Sequence, residues 1–247
     1  MSNDTIIFQL ATHFLPKIAL RLECLYKTIN QACEETHPVI HHYALKNVME
    51  IINLIEKPEL KSRFLKELMR IEHNVSKLND ASSVASHNIH HQILILTQVI
   101  GLFGDKIHLD PFLQSIRTMQ SIHSQDCEMY SPQLLLWLES DPAIRQADLQ
   151  RWLNFLEPLN STVGLYLELL RNTAEFNKIE MLNGFYQRPL PPKTSCHLIL
   201  LRMDKSFKIV PRMQLGHHGM SLRLCEVTTM REIRETNANI DLAICQI

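Results

Sequence analysis

Histidines and one pair of like charges are the residues whose chemistry stands out in this chain. There are 13 His. In Ser86-His87-Asn88-Ile89-His90-His91, His87 and His91 fall one helical turn apart on one face. Two ligands do not close a zinc site, which takes three or four. No Glu lies between them, so His-Glu-x-x-His chemistry is absent. His41-His42 and His217-His218 are further pairs, and nothing in the sequence makes them converge. They read as surface histidines, and no metal is expected. The phosphate-binding and nucleophile motifs Gly-x-x-x-x-Gly-Lys-Ser/Thr, Gly-x-Gly-x-x-Gly and Gly-x-Ser-x-Gly do not occur among only six Gly. Glu34-Glu35 sits at a helix end and reads as solvated. The chain is therefore read as a non-enzyme that needs no cofactor.

Lys17 and Arg21 are more informative. At i,i+4 they share a helix face, where like charges cost a few tenths of a kcal/mol. Neither has an acidic residue three or four positions away. Two readings stand: a solvated face or a salt bridge to another element, and a docking point for an acidic ligand. The planar fork of an arginine suits a carboxylate. Lys208, Arg212 and Arg223 repeat the theme near the C-terminus, and Arg223 points off the face opposite Leu222 and Leu224. Residues 1–175 hold 15 Lys+Arg against 20 Asp+Glu, and residues 176–247 hold 10 against 6. A basic C-terminal part suits an acidic partner. The alternative is a nucleic-acid-binding module, which needs aromatics interleaved with the basic residues. Past Phe176, only Phe185, Tyr186 and Phe207 are aromatic there.

The elements that position these residues fall into two kinds. Thr5–Leu10 is a strand candidate standing alone before helices, so its partners must come from the C-terminal part. Helical patterns follow at about 14–34, with an apolar stripe at 14, 18, 22, 25 and 29, and at about 39–56, 59–78 and 88–103. Asp110-Pro111, Ser131-Pro132 and Asp141-Pro142 each read as N-cap plus first helical residue, for helices to about 122, 139 and 156. Residues 159–173 continue in helical register, and residues 79–86 are a loop. Past Phe176 the chain alternates. Lys178–Leu182 and Phe185–Arg188 look like strands paired through Asn183-Gly184, the strongest two-residue hairpin signal. Further strands are expected at 196–203, 208–215, 220–227 and 240–247. The fold class is α+β. An elongated α-helical bundle domain, 12–175, precedes a mainly antiparallel β-sheet domain formed by residues 1–11 and 176–247. If the first strand joins the sheet of Arg223, basic residues of both domains meet in one groove.

The six Cys are scattered without a Cys-x-x-Cys, and Cys24, Cys196, Cys225 and Cys245 each sit in an apolar or alternating run. They read as buried, reduced thiols of a cytosolic protein. No run reaches the 18 or so uncharged apolar residues of a membrane span, and residues 1–4 do not open a signal peptide.

Several motifs, in order, resemble the ZapD family of cell division proteins, which associate with the FtsZ ring. They are Leu20-Arg21-Leu22-Glu23, Lys46-Asn47-Val48, Leu65-Lys66-Glu67-Leu68, Leu136-Trp137-Leu138, Leu156-Glu157-Pro158-Leu159 and Leu182-Asn183-Gly184-Phe185-Tyr186-Gln187. The last is the most specific. The C-terminal quarter matches chiefly at Gly216-His217 and Ser221-Leu222-Arg223-Leu224. The resemblance implies a cytoplasmic homodimer at the division site that binds the C-terminal tail peptide of FtsZ and bundles its filaments, with no nucleic acid or membrane as partner. It implies that basic residues carry the contact. Arg21 matches a family arginine, Lys17 a basic position one turn earlier, and Lys57 and Arg223 positions where the family has arginine. Pro111 and Gly219-Met220 depart from basic positions, which Lys208 or Arg212 would compensate. Phe185 and Tyr186 are expected to pack between the domains.

Overall fold

A computed structural model describes residues 4–77, 84–122, 131–191, 195–216, 219–234 and 240–247. Cys127, His217, His218 and most of the expected 79–86 loop lie outside these residues. The chain is α+β and divides into two compact units, residues 21–166 and residues 1–20 with 167–247. The division falls inside two helices, α1 (Phe14–Ala32) and α9 (Glu157–Asn172).

Between them run α2 (Pro38–Ile55), α3 (Glu59–Lys77), α4 (Val84–Gln98), α5 (Asp105–His108), α6 (Pro111–Ile122), α7 (Pro132–Leu138) and α8 (Pro142–Phe155). The Asp/Ser-Pro signals act as the sequence suggests. The side chains of Asp110, Ser131 and Asp141 accept from the backbone N–H groups of Leu113, Leu134 and Ala143. Each satisfies a donor that the first helical turn leaves unpaired. α4 starts and ends earlier than 88–103. Gly101 and Gly104 lie at φ 73° and 66°, which breaks the helix and turns Phe103 into the core. The buried stripe of α1 runs through Leu15, Ala19, Leu22, Tyr26 and Ile29, so Phe14 and Ile18 lie at its margin. Trp152, stacked on Phe112 at 5.7 Å, and Phe64, edge-on to Tyr166 at 5.7 Å, anchor the helical core.

In the other unit β1 (Thr5–Ala11) pairs with β4 (Cys196–Asp204), as its isolation in the sequence required. β4 pairs with β7 (Ile240–Gln246), and β7 with β2 (Asn177–Ile179), giving a four-stranded sheet β1-β4-β7-β2. A second sheet, β3-β6-β5, consists of Phe185–Pro189, Gly219–Glu226 and Ile209–Leu215. All pairings are antiparallel. Both sheets contribute to one apolar cluster: Ile199, Leu201, Ile240 and Leu242 from one, Met220, Leu222 and Leu224 from the other.

The expected hairpin around Asn183-Gly184 is corrected. The turn itself forms: both residues have positive φ, 53° and 68°, and Leu182 and Phe185 exchange backbone hydrogen bonds. Its flanks then part, β2 into the first sheet and β3 into the second. Asn-Gly sets a two-residue turn, but which strand each flank joins is decided by the partners available beyond it.

Candidate functional site

β6 alternates buried Met220, Leu222 and Leu224 with side chains on the opposite face, which puts Arg223 there. Its cross-strand neighbours are Phe185 on β3 and Arg212 on β5. One row across the sheet therefore reads Phe185–Arg223–Arg212. The Arg223 guanidinium lies 5.0 Å from the Phe185 ring centroid, a cation–π contact. Two guanidinium groups directly opposite one another repel, and a carboxylate relieves it. Arg223 Nη1 donates to Glu232 Oε2 at 2.7 Å, and Arg212 Nη1 lies 3.9 Å from Glu232 Oε1.

Local structure explains how Glu232 arrives there. After β6 the chain reverses at 227–230, with Met230 at φ 56°. The Glu226 carboxylate accepts from the hydroxyls of Thr229 and Thr228, which holds its carboxyl below its ordinary value and ties the turn together. Glu226 N then donates to Arg231 O, and Ile233 N to Leu224 O. Residues 231–233 thus run as a strap beside the end of β6, with Glu232 opposite Cys225, diagonal to Arg223. The strap lies against the Asn183-Gly184 turn. A Cβ on Gly184 would sit 1.7 Å from Ile233 O, so only glycine admits this approach. Phe185 and Tyr186 thereby take different tasks: Phe185 faces Arg223, and Tyr186 packs against the apolar cluster.

On the helices, Arg21 is not left as a bare charge. Its Nε and Nη2 donate to Glu50 Oε1 and Oε2 of α2, each at 2.7 Å. These bonds raise the guanidinium above its ordinary value. The partner sits on another helix, which is why no spacing within α1 disclosed it. Lys17, one turn before on α1, is exposed, as is Lys57 between α2 and α3. Lys208 has φ 49° and follows a 3-10 turn, Lys205–Phe207, immediately before β5. No ion pair engages Lys17, Lys57 or Lys208 among the described residues. The structure thus brings Arg212 and Arg223 together, keeps Lys17 beside Arg21 on α1, and does not place Arg223 in the sheet that β1 joins. The single groove expected from a shared sheet loses that premise.

Two other readings are corrected. His41 is fully buried, not a surface histidine: its Nδ1 accepts from Arg145 Nε at 2.8 Å, and its Nε2 faces the carbonyls of Ala32 and Glu35. Arg145 is itself buried and donates to the carbonyls of Leu138, Ser140 and Thr36, so the pair ties helix ends together. Cys24 is exposed, whereas Cys196, Cys225 and Cys245 are buried. Burial pushes the Cys196 thiol up to about 11. His87 and His91 are exposed, and among the described residues no three His, Cys, Asp or Glu side chains converge as a metal site.

This geometry is that of a surface offering guanidinium groups. The chain is 26% identical over 230 residues to the cell division protein ZapD of Coxiella burnetii (strain RSA 331 / Henzerling II), covering 90% of this chain and 89% of that protein. It is 28% identical over 229 residues to ZapD of Cupriavidus metallidurans, covering 90% of each, and 24% identical over 260 aligned positions to ZapD of Nitrosomonas europaea, covering 100% and 99%. The ZapD cell division protein profile matches residues 20–223, from the helix of Arg21 to the strand of Arg223. The chain belongs to the ZapD family of cell division proteins.

Proposed function

We propose that this protein is a non-enzymatic cytoplasmic scaffold of the division site, which binds the acidic C-terminal tail peptide of FtsZ and, as a homodimer, cross-links FtsZ filaments into bundles. The observation that carries the reading is the Arg212–Arg223 row. Two guanidinium groups share one carboxylate, Glu232, so the row keeps a net positive charge for an incoming anion. Lys208 stands just before β5 on the same sheet, and Lys17, Arg21 and Lys57 on the helices are further candidates, taken from the family resemblance. Arg21 forks onto Glu50 in the bidentate manner that a partner carboxylate would use.

Two tail sites on one dimer make bundling a matter of bivalency, with no further contact required. Exposed charge pairs are screened by salt, so titration of the tail peptide should give an affinity that falls steadily as ionic strength rises. Binding that ignores salt overturns the reading. In co-sedimentation with FtsZ filaments, Arg223→Glu and Arg21→Glu should lose bundling while the dimer persists. Unchanged bundling by both variants removes these arginines from the contact.

A further inference from the structure

We infer that Glu232 is a built-in competitor: its carboxylate occupies the Arg212–Arg223 row as a stand-in for a partner's carboxylate, so the protein tempers its own affinity for acidic peptides. The inference deepens the proposed function and rests on the tail docking at this row.

Three features support it. First, Glu232 touches both arginines, at 2.7 Å and 3.9 Å, from a position diagonal to Arg223, so an incoming carboxylate contends with it for the same Nη groups. Second, the competitor is held in place by construction. The Thr228 and Thr229 hydroxyls lock the preceding turn through Glu226, the strap is hydrogen-bonded to β6, and Gly184 lets it lie close against the neighbouring turn. Third, the seat is accessible. The three side chains are 41–45% exposed, so the internal ion pair is weak enough for a partner to displace. Phe185, behind Arg223, limits where its guanidinium can move when the carboxylate leaves.

The test is calorimetric titration of the FtsZ tail peptide into the full chain, comparing wild type, Glu232→Gln, Glu232→Asp and Glu168→Gln. Gln keeps the shape of Glu232 and removes its charge. Asp keeps the charge and shortens its reach. Glu168 is exposed on α9, so its variant reproduces the change in net charge away from the strap. Glu232→Gln should bind up to about fivefold more tightly, the scale an exposed ion pair supports. Glu232→Asp should tighten less, and Glu168→Gln should match wild type. If wild type binds and Glu232→Gln binds no more tightly, the competitor role is wrong while the proposed function stands. Equal tightening by Glu168→Gln also overturns it, because net charge alone then explains the gain. If no variant binds the peptide, the docking reading fails and the competitor role falls with it.

Discussion

The helical unit and the sheet unit each hold an arginine against a carboxylate of their own chain, but they balance charge differently. Arg21 and Glu50 form a one-to-one fork with both bonds at 2.7 Å, leaving no net charge. Arg212, Arg223 and Glu232 form a two-to-one cluster in which one contact is long. An anion approaching the helices must break a closed pair, whereas one approaching the sheet meets a surplus of positive charge. The same residue type thus closes a balanced pair between α1 and α2 in one place and sits in an unbalanced cluster on the sheet in the other.

The sheet cluster depends most heavily on Gly184. Ala there forces a side chain onto Ile233 O in a backbone conformation that disfavours L residues. Gly184→Ala should cost about 2–3 kcal/mol by chemical denaturation and displace the strap with Glu232. The Arg21–Glu50 pair does not depend on that turn. A full-stability variant would show that the strap does not need the close approach.

Burial separates a third pair from both. Arg151 Nη2 donates to Asp110 Oδ2 at 3.1 Å, with the Asp110 side chain nearly buried, and Trp152 Nε1 and Leu113 N donate to the same carboxylate. Burial alone would raise the Asp110 carboxyl, but these hydrogen bonds hold it below its ordinary value. A carboxyl lowered on folding stabilises above its unfolded pKa and loses that contribution as pH falls through the folded one. Asp110→Ala should therefore cost about 1–2 kcal/mol at pH 7, and the difference should shrink on acidification below about pH 4. A cost independent of pH would assign the effect to packing.

Much of this architecture was legible because it is local. Asp-Pro and Ser-Pro fix helix starts with their own side chains, Asn183-Gly184 fixes its turn, and the parity of β6 puts Arg223 opposite Leu222. What stayed open or failed was long-range. The partner of Arg21 sits 29 positions away on α2, and the strand that each flank of the Asn-Gly turn joins depends on register between distant segments. His41 looked like a surface residue because the guanidinium and carbonyls that allow its burial come from Arg145, Ala32 and Glu35. Glu232 carried no signal at all. Its role exists only once β5, β6 and the strap are aligned.

The two arginine sites can be set against each other directly. Arg223→Glu replaces one of two guanidinium groups by a second carboxylate beside Glu232. The row passes from net positive to net negative, and tail affinity should fall by about tenfold or more. Arg223→Gln should fall less. A loss at Arg223 no larger than the loss at Arg212 would mean that the stacking on Phe185 adds nothing to the seat.

The mildest change discriminates best between a clip and a seat on the helices. Arg21→Glu alone is ambiguous, because it both removes a cation and sets two carboxylates against each other across α1 and α2. The exchange Arg21→Glu with Glu50→Arg restores the ion pair with its polarity reversed. Both side chains are substantially exposed, 52% and 37%, so the pair is worth about 0.3–1 kcal/mol. The single variant should lose about that much stability, and the exchange should recover it. Bundling should not recover with it if Arg21 itself meets the tail, because the positive charge now projects from α2. Bundling that returns with stability would make Arg21 a helix clip only and leave the sheet row as the anion seat. A double-mutant cycle on denaturation midpoint and co-sedimentation measures both outcomes on the same proteins.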